Sequence, residues 1–271
     1  MFDDLIAGFW DALVKLCTKT TNVAELTFIR GRTTFSWASL VDKVWNYFAF
    51  VALGMTIIYF LLEMNRKLAL EGRDLNIKSM FAPFLKLLIS IGVLANGSKI
   101  VVWLMKLSDA FMLFADGLSN ESYDVGGDLP SELTELSIFV GIVIILVLLL
   151  TFLVGFIVGV IWWYKAFTWK LEFLWRMCIT PIALADVYSG QNGTAVKYLK
   201  GFIALGLTGM AMIILPQLAM VLSVDAVFSA PEGLSGMMSA IISVVKLPLA
   251  PIAAIGVFGV VKTTIKEALG A

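Results

Sequence analysis

The chain has 271 residues, of which 60% are hydrophobic and 15% charged, with 20 basic and 20 acidic side chains that cancel. Soluble domains hold roughly 45–50% apolar and about 25% charged residues, so this chain carries more apolar surface than a water-soluble interior of its size can hide. With no His, imidazole catalysis and the commonest metal ligand are absent; the two distant cysteines, Cys17 and Cys178, suit neither a metal cluster nor a disulfide; and zero net charge gives no basic domain for nucleic acid.

The opening Met-Phe-Asp-Asp is acidic where a cleavable signal peptide needs positive charge, so none is expected. Residues 2 to 17 set Phe2, Leu5, Ile6, Phe9, Leu13 and Leu16 on one face, with Asp3, Asp4, Asp11 and Lys15 mostly elsewhere. That spacing predicts an amphipathic helix, too charged to span and suited to an interface or a partner. A polar stretch follows, with a turn at Arg30-Gly31-Arg32. The first apolar run without charge covers 44 to 62 and ends at Glu63. Residues 79 to 115 are apolar but broken at Asn96-Gly97-Ser98 and hold Lys86, Lys106 and Asp109, which predicts one crossing with an interfacial or broken continuation.

Between Lys106 and Lys165 there is no Lys or Arg. Asp109, Asp116, Glu121, Asp124, Asp128, Glu132 and Glu135 come first, and residues 136 to 164 then carry no charge up to Trp162-Trp163-Tyr164. About 20 apolar residues cross a hydrocarbon core of about 30 Å, so this run spans with some tilt, its aromatic end at the headgroups. Segment 165–200 is amphipathic and basic, and it is expected to break at Pro181 and turn along the membrane face. Further spans are expected at 201–224, interrupted by Pro216, and near 237–261, containing Lys246, Pro248 and Pro251.

The expectation is thus an all-α polytopic membrane protein of about five spans, with an interfacial region at 1–43 and a transmembrane domain at 44–271. Loop 63–78 holds four Lys/Arg, loop 116–135 none, segment 165–200 five, loop 225–236 none and the tail two. Positive charge alternates with the crossings, which predicts the amino end outside and the carboxyl end inside. The amino-terminal region, with Lys15, Lys19, Arg30, Arg32 and Lys43, is the exception.

No phosphate loop, metal cluster or nucleophile with its base can be assembled, so no catalytic residue, cofactor or metal is expected and the chain does not read as an enzyme. Lys246, near the middle of the last expected span, reads either as a pathway residue bonding carbonyls freed by Pro248 and Pro251, or as a snorkelling or packing residue paired with Glu172 or Asp225. Lys86 reads as a snorkelling side chain. On segment 165–200, Trp175, Arg176, Pro181, Asp186, Lys197 and Lys200 form a candidate cytoplasmic docking surface, weighed against a juxtamembrane anchor on anionic lipid. Gly155-Phe-Ile-Val-Gly159 and Gly206-Leu-Thr-Gly209 predict close helix packing.

The run Leu171-Glu-Phe-Leu-Trp-Arg-Met-Cys-Ile-Thr-Pro-Ile-Ala-Leu-Ala-Asp-Val-Tyr-Ser-Gly190, followed by Val196-Lys-Tyr-Leu-Lys200, resembles the TrbL-like (VirB-type) inner-membrane subunits of conjugative type IV secretion systems. The similarity covers about 136 to 261. The resemblance implies a homo-oligomer in the bacterial cytoplasmic membrane, on the route of transferred DNA or protein. Its implied partners are membrane lipids, cytoplasmic ATPases and pilus or stalk proteins, and it carries over no catalytic residues. The competing expectation is a solute transporter or ion channel with Lys246 in its path; no self-similarity between halves supports it.

Overall fold

A computed structural model of the chain describes residues 2–21, 38–71, 77–120, 138–187, 193–225 and 236–270. Every long element among them is a helix: α1 (Phe2–Thr21), α2 (Ala38–Glu71), α3 (Ile77–Ala95), α4 (Gly97–Asn120), α5 (Ile138–Leu184), α6 (Thr194–Asp225) and α7 (Gly236–Leu269). Candidate spans lie at Lys43–Leu70, Phe139–Val187, Thr194–Met220 and Met237–Leu269, and Phe81–Ala95 with Gly97–Ala115 form a fifth, bent by 56°. The protein is all-α, with four to five helices long and apolar enough for a multi-pass membrane protein. Helices are the form that satisfies every backbone group without water. Thr56, Thr168 and Thr263 follow the same rule, each hydroxyl donating to the carbonyl four residues earlier.

Most of the acidic loop expected at 116–135, the Arg30-Gly-Arg32 turn and most of loop 225–236 lie outside the described residues. The break at Asn96 is where the sequence places it. Asn96 closes α3 by donating its backbone N–H and its Nδ2 to the Gly92 carbonyl at 3.2 and 2.9 Å, and its own carbonyl opens α4 by accepting from Lys99 and Ile100.

The helices form two compact units. The first comprises Met1–Arg30, Phe111–Thr168 and Thr208–Thr263. Its core joins Ile6, Trp10, Leu13, Val14 and Cys17 of α1 to Ile144 and Leu148 of α5, Met220 of α6, and Val244, Leu247 and Ala250 of α7. The buried face of α1 is therefore rotated from the expected one: Trp10, Val14 and Cys17 point in, and Leu5 is exposed. Gly155 lets α1 come close: a Cβ there would stand 3.2 Å from Leu16 and 3.8 Å from Cys17. Burial pushes the Cys17 thiol up to about 12, which keeps it protonated and unreactive at neutral pH. Ile144 and Leu148 share a core with Val244 and Leu247, and further along both helices Trp162 meets Phe258 edge-on at 5.5 Å; the two helices run in one direction. Lys165, the first charge after the long apolar run, donates to the Ile255 carbonyl at 3.0 Å. It also lies 5.9 Å from the Trp162 ring and 5.2 Å from the Phe258 ring.

The second unit comprises Gly31–Ala110, Trp169–Leu207 and Thr264–Ala271. Here α2 and α3 are tied by Lys86 Nζ to Glu63 Oε1 at 3.2 Å, so Lys86 has an ionic partner as well as room to snorkel. Gly97 sits under Leu184 and Trp45, whose atoms would lie 3.0 and 3.1 Å from an added Cβ. Segment 165–200 departs from the expected break. Pro181 is an interior residue of α5, which runs on to Leu184 before a short 3-10 turn. Proline removes only its own N–H, whose acceptor would be the Met177 carbonyl, and one turn remains to be carried beyond it.

Candidate functional site

The polar side chains of the second unit gather where the last third of α5 lies against the start of α6. The antiparallel register is fixed by a ladder of contacts. Trp169 Nε1 donates to the Leu205 carbonyl at 2.8 Å, and the Phe173 and Phe202 rings stand 4.8 Å apart. Next along, the Arg176 guanidinium occupies the space beside Gly201, 2.7 Å from where a Cβ would be. Tyr198 donates its hydroxyl to the Arg176 carbonyl, which also accepts from Thr180 Oγ1 at 2.7 Å. At the end, Asp186 Oδ2 accepts the Thr194 N–H at 2.7 Å.

Thr194 N–H is one of the donors that a helix start leaves without an intrahelical acceptor, and a carboxylate there also meets the positive end of the helix dipole. Replacing Asp186 by Ala is expected to lower stability by about 1 kcal/mol, read as an earlier midpoint in unfolding by dodecyl sulfate in mixed micelles, while Asp186→Asn retains most of it. Equal loss in both variants would mean the cap is not the cause.

Helix α4 closes the third side. Ser108 faces Gly206, and a Cβ on Gly206 would stand 3.2 Å from Ser108 Cβ, so the small pair sets the distance between the helices. The Ser108 hydroxyl is buried and has no hydrogen-bond partner among the described residues. The neighbouring Asp109 interacts electrostatically with Lys170 of α5, whose side chain is buried. Two residues on from Lys170, Glu172 Oε1 pairs with Arg176 Nη2 at 3.2 Å. Two cations and two carboxylates thus offset one another between apolar helices.

The six candidate docking residues divide by role. Arg176, Pro181 and Asp186 serve the fold: Arg176 is held by Glu172 and Gly201, Pro181 is buried, and Asp186 caps α6. Trp175, Lys197 and Lys200 are exposed. Trp175 also ends a row on α5 that includes Phe139, Ile142, Leu146, Leu153, Tyr164 and Leu171, all exposed apolar or aromatic side chains at helical spacing. In the first unit, Pro216, Pro248 and Pro251 are buried inside α6 and α7. Lys246 is half-buried and, among the described residues, has no hydrogen bond or ion pair; Glu172 pairs with Arg176 instead, and the side chain of Asp225, the other expected partner, lies outside the described residues. No group of His, Cys, Asp and Glu among the described residues is placed to hold a metal. The Asp109–Lys170 interaction is what sequence reasoning missed. Its only signal was that both are charges inside apolar segments, and charges so placed need partners.

No protein-family model, no curated protein and no solved structure matches the chain.

Proposed function

We propose that the protein is a membrane subunit of a conjugative type IV secretion machine of the TrbL-like kind, acting as an oligomeric channel or scaffold component that helps DNA or protein cross the bacterial cytoplasmic membrane. The observation that carries the reading is the length of α5. Its 47 residues make about 70 Å of helix at about 1.5 Å per residue, more than twice a hydrocarbon core of about 30 Å. The exposed apolar row from Phe139 to Trp175 therefore outruns what lipid covers, and the remainder calls for protein. A homo-oligomer, or a neighbouring subunit of the machine, supplies it. The exposed basic side chains Lys197 and Lys200 of α6, with exposed Trp175 of α5, face the cytoplasm under the positive-inside rule and suit contact with a cytoplasmic ATPase.

The competing reading, a stand-alone transporter or channel with Lys246 in the path, is weakened by the surroundings of that lysine. The open space next along its helix is lined by apolar side chains alone, which give an ion nothing to coordinate. Removing the gene from a donor cell is expected to lower conjugative transfer by orders of magnitude, with recovery from a plasmid copy. Undiminished transfer from the deleted donor ends the proposal, and solute flux through liposomes holding this protein alone would favour the competing reading.

A further inference from the structure

Helices α6 and α7 enclose a groove of about 510 Å³, lined by Leu218, Ala219 and Leu222 on one side and Leu249, Ala253 and Val257 on the other, with neighbours of the same kind. That volume lies within the range of about 300–1,000 Å³ of small-ligand sites. Leu218, Leu222, Ile252 and Val257 are substantially exposed, so the groove opens toward the bilayer. Lys246 stands one turn before Leu249 and shares a stripe of α7 with Ala250, Ala253 and Val257 at helical spacing.

The position of Lys246 along α7 supplies the rest. The helix has 34 residues, about 50 Å, so it overhangs a hydrocarbon core of about 30 Å by roughly 10 Å at each end if centred. Lys246 is the eleventh residue, about 5 Å inside the apolar layer rather than at its middle. A helical side chain leans toward its own amino terminus, here toward the nearer headgroups and away from the groove. A four-carbon stem covers the remaining distance. With the helix so centred, a cation with no partner among the described residues reaches headgroup depth one turn before a slot with apolar walls.

We infer that this groove is a binding site for an anionic phospholipid of the surrounding bilayer, one acyl chain lying between α6 and α7 and the phosphate meeting the Lys246 ammonium. The inference needs the membrane placement of these helices and not the secretion reading. Charge complementarity favours an anionic over a zwitterionic lipid, and the groove walls select a chain and not a polar solute.

The test is native mass spectrometry of the full chain released from detergent, titrated with phosphatidylglycerol or phosphatidylcholine of matched chains. One phosphatidylglycerol is expected to bind preferentially. Lys246→Gln is expected to weaken it by about fivefold, the change for one basic side chain facing an anionic headgroup, while leaving phosphatidylcholine unchanged. Lys246→Arg retains binding, and Ala253→Phe, which fills the groove from an exposed position, abolishes it for both lipids. Equal affinity for the two lipids, or no response to Lys246→Gln, overturns the proposal. So does an Ala253→Phe variant that keeps its lipid and instead changes the number of copies per particle, which would assign the groove to a second chain.

Discussion

Truncating Trp169 to Ala is expected to lower the unfolding free energy by about 3–5 kcal/mol, the range for losing a large aromatic side chain from a packed core. Trp169 is buried, its ring stands 5.7 Å from Phe173, and its indole N–H holds the Leu205 carbonyl of α6. Trp169→Phe separates the two contributions. It keeps most of the ring and removes the donor, so the loss should fall to about 0.6–1.7 kcal/mol, from the average to the largest value for hydrogen bonds between membrane helices. Far-UV circular dichroism during dodecyl sulfate titration reads both. If Ala and Phe cost the same, packing at this position is not what joins α5 to α6.

The second large effect belongs to Lys170. Changing it to Met removes the charge opposite Asp109 and leaves a carboxylate between apolar helices, at an expected cost of about 2–4 kcal/mol. Changing both, Asp109→Asn with Lys170→Met, should recover most of the loss, because neither charge then has to be held away from water. A double variant as unstable as the single one would show that the lysine stem, and not its charge, matters. Asp109 is only half-buried, which places the expectation toward the lower end of that range.

Much of this architecture is legible in the sequence because hydropathy reports depth. The start of the long helix at Ile138, the break at Asn96 and the apolar helix from Gly236 occur where an apolar length or a Gly and Asn pair puts them, although α5 runs past Tyr164 to Leu184. Proline was a poorer guide. Pro181 does not end α5, since a residue without an N–H forfeits one bond and a helix already anchored by Arg176, Thr180 and Tyr198 carries the gap. Hydropathy also says nothing about neighbours. The burial of Trp10 and Val14 instead of Leu5 depends on how α1 seats against α5, α6 and α7, and the Asp109–Lys170 interaction depends on α4 lying against α5. For Lys246, the span near 237–261 put the residue at mid-membrane. The observed helix runs on to Leu269, beyond that span, and Lys246 is its eleventh residue.

The seat of α1 has a consequence for how the protein is made. Its apolar face rests on Ile144, Leu148, Met220 and Val244, residues translated long after it. At about 5–20 residues per second, the helix waits roughly 10–50 s between synthesis and the arrival of its final neighbours. During that interval Ile6, Trp10 and Leu13 need temporary cover from lipid, an insertase or a chaperone. Helix α1 is thus made well before the helices it docks on, and slowing translation between α1 and α7 should lengthen its exposure to proteases.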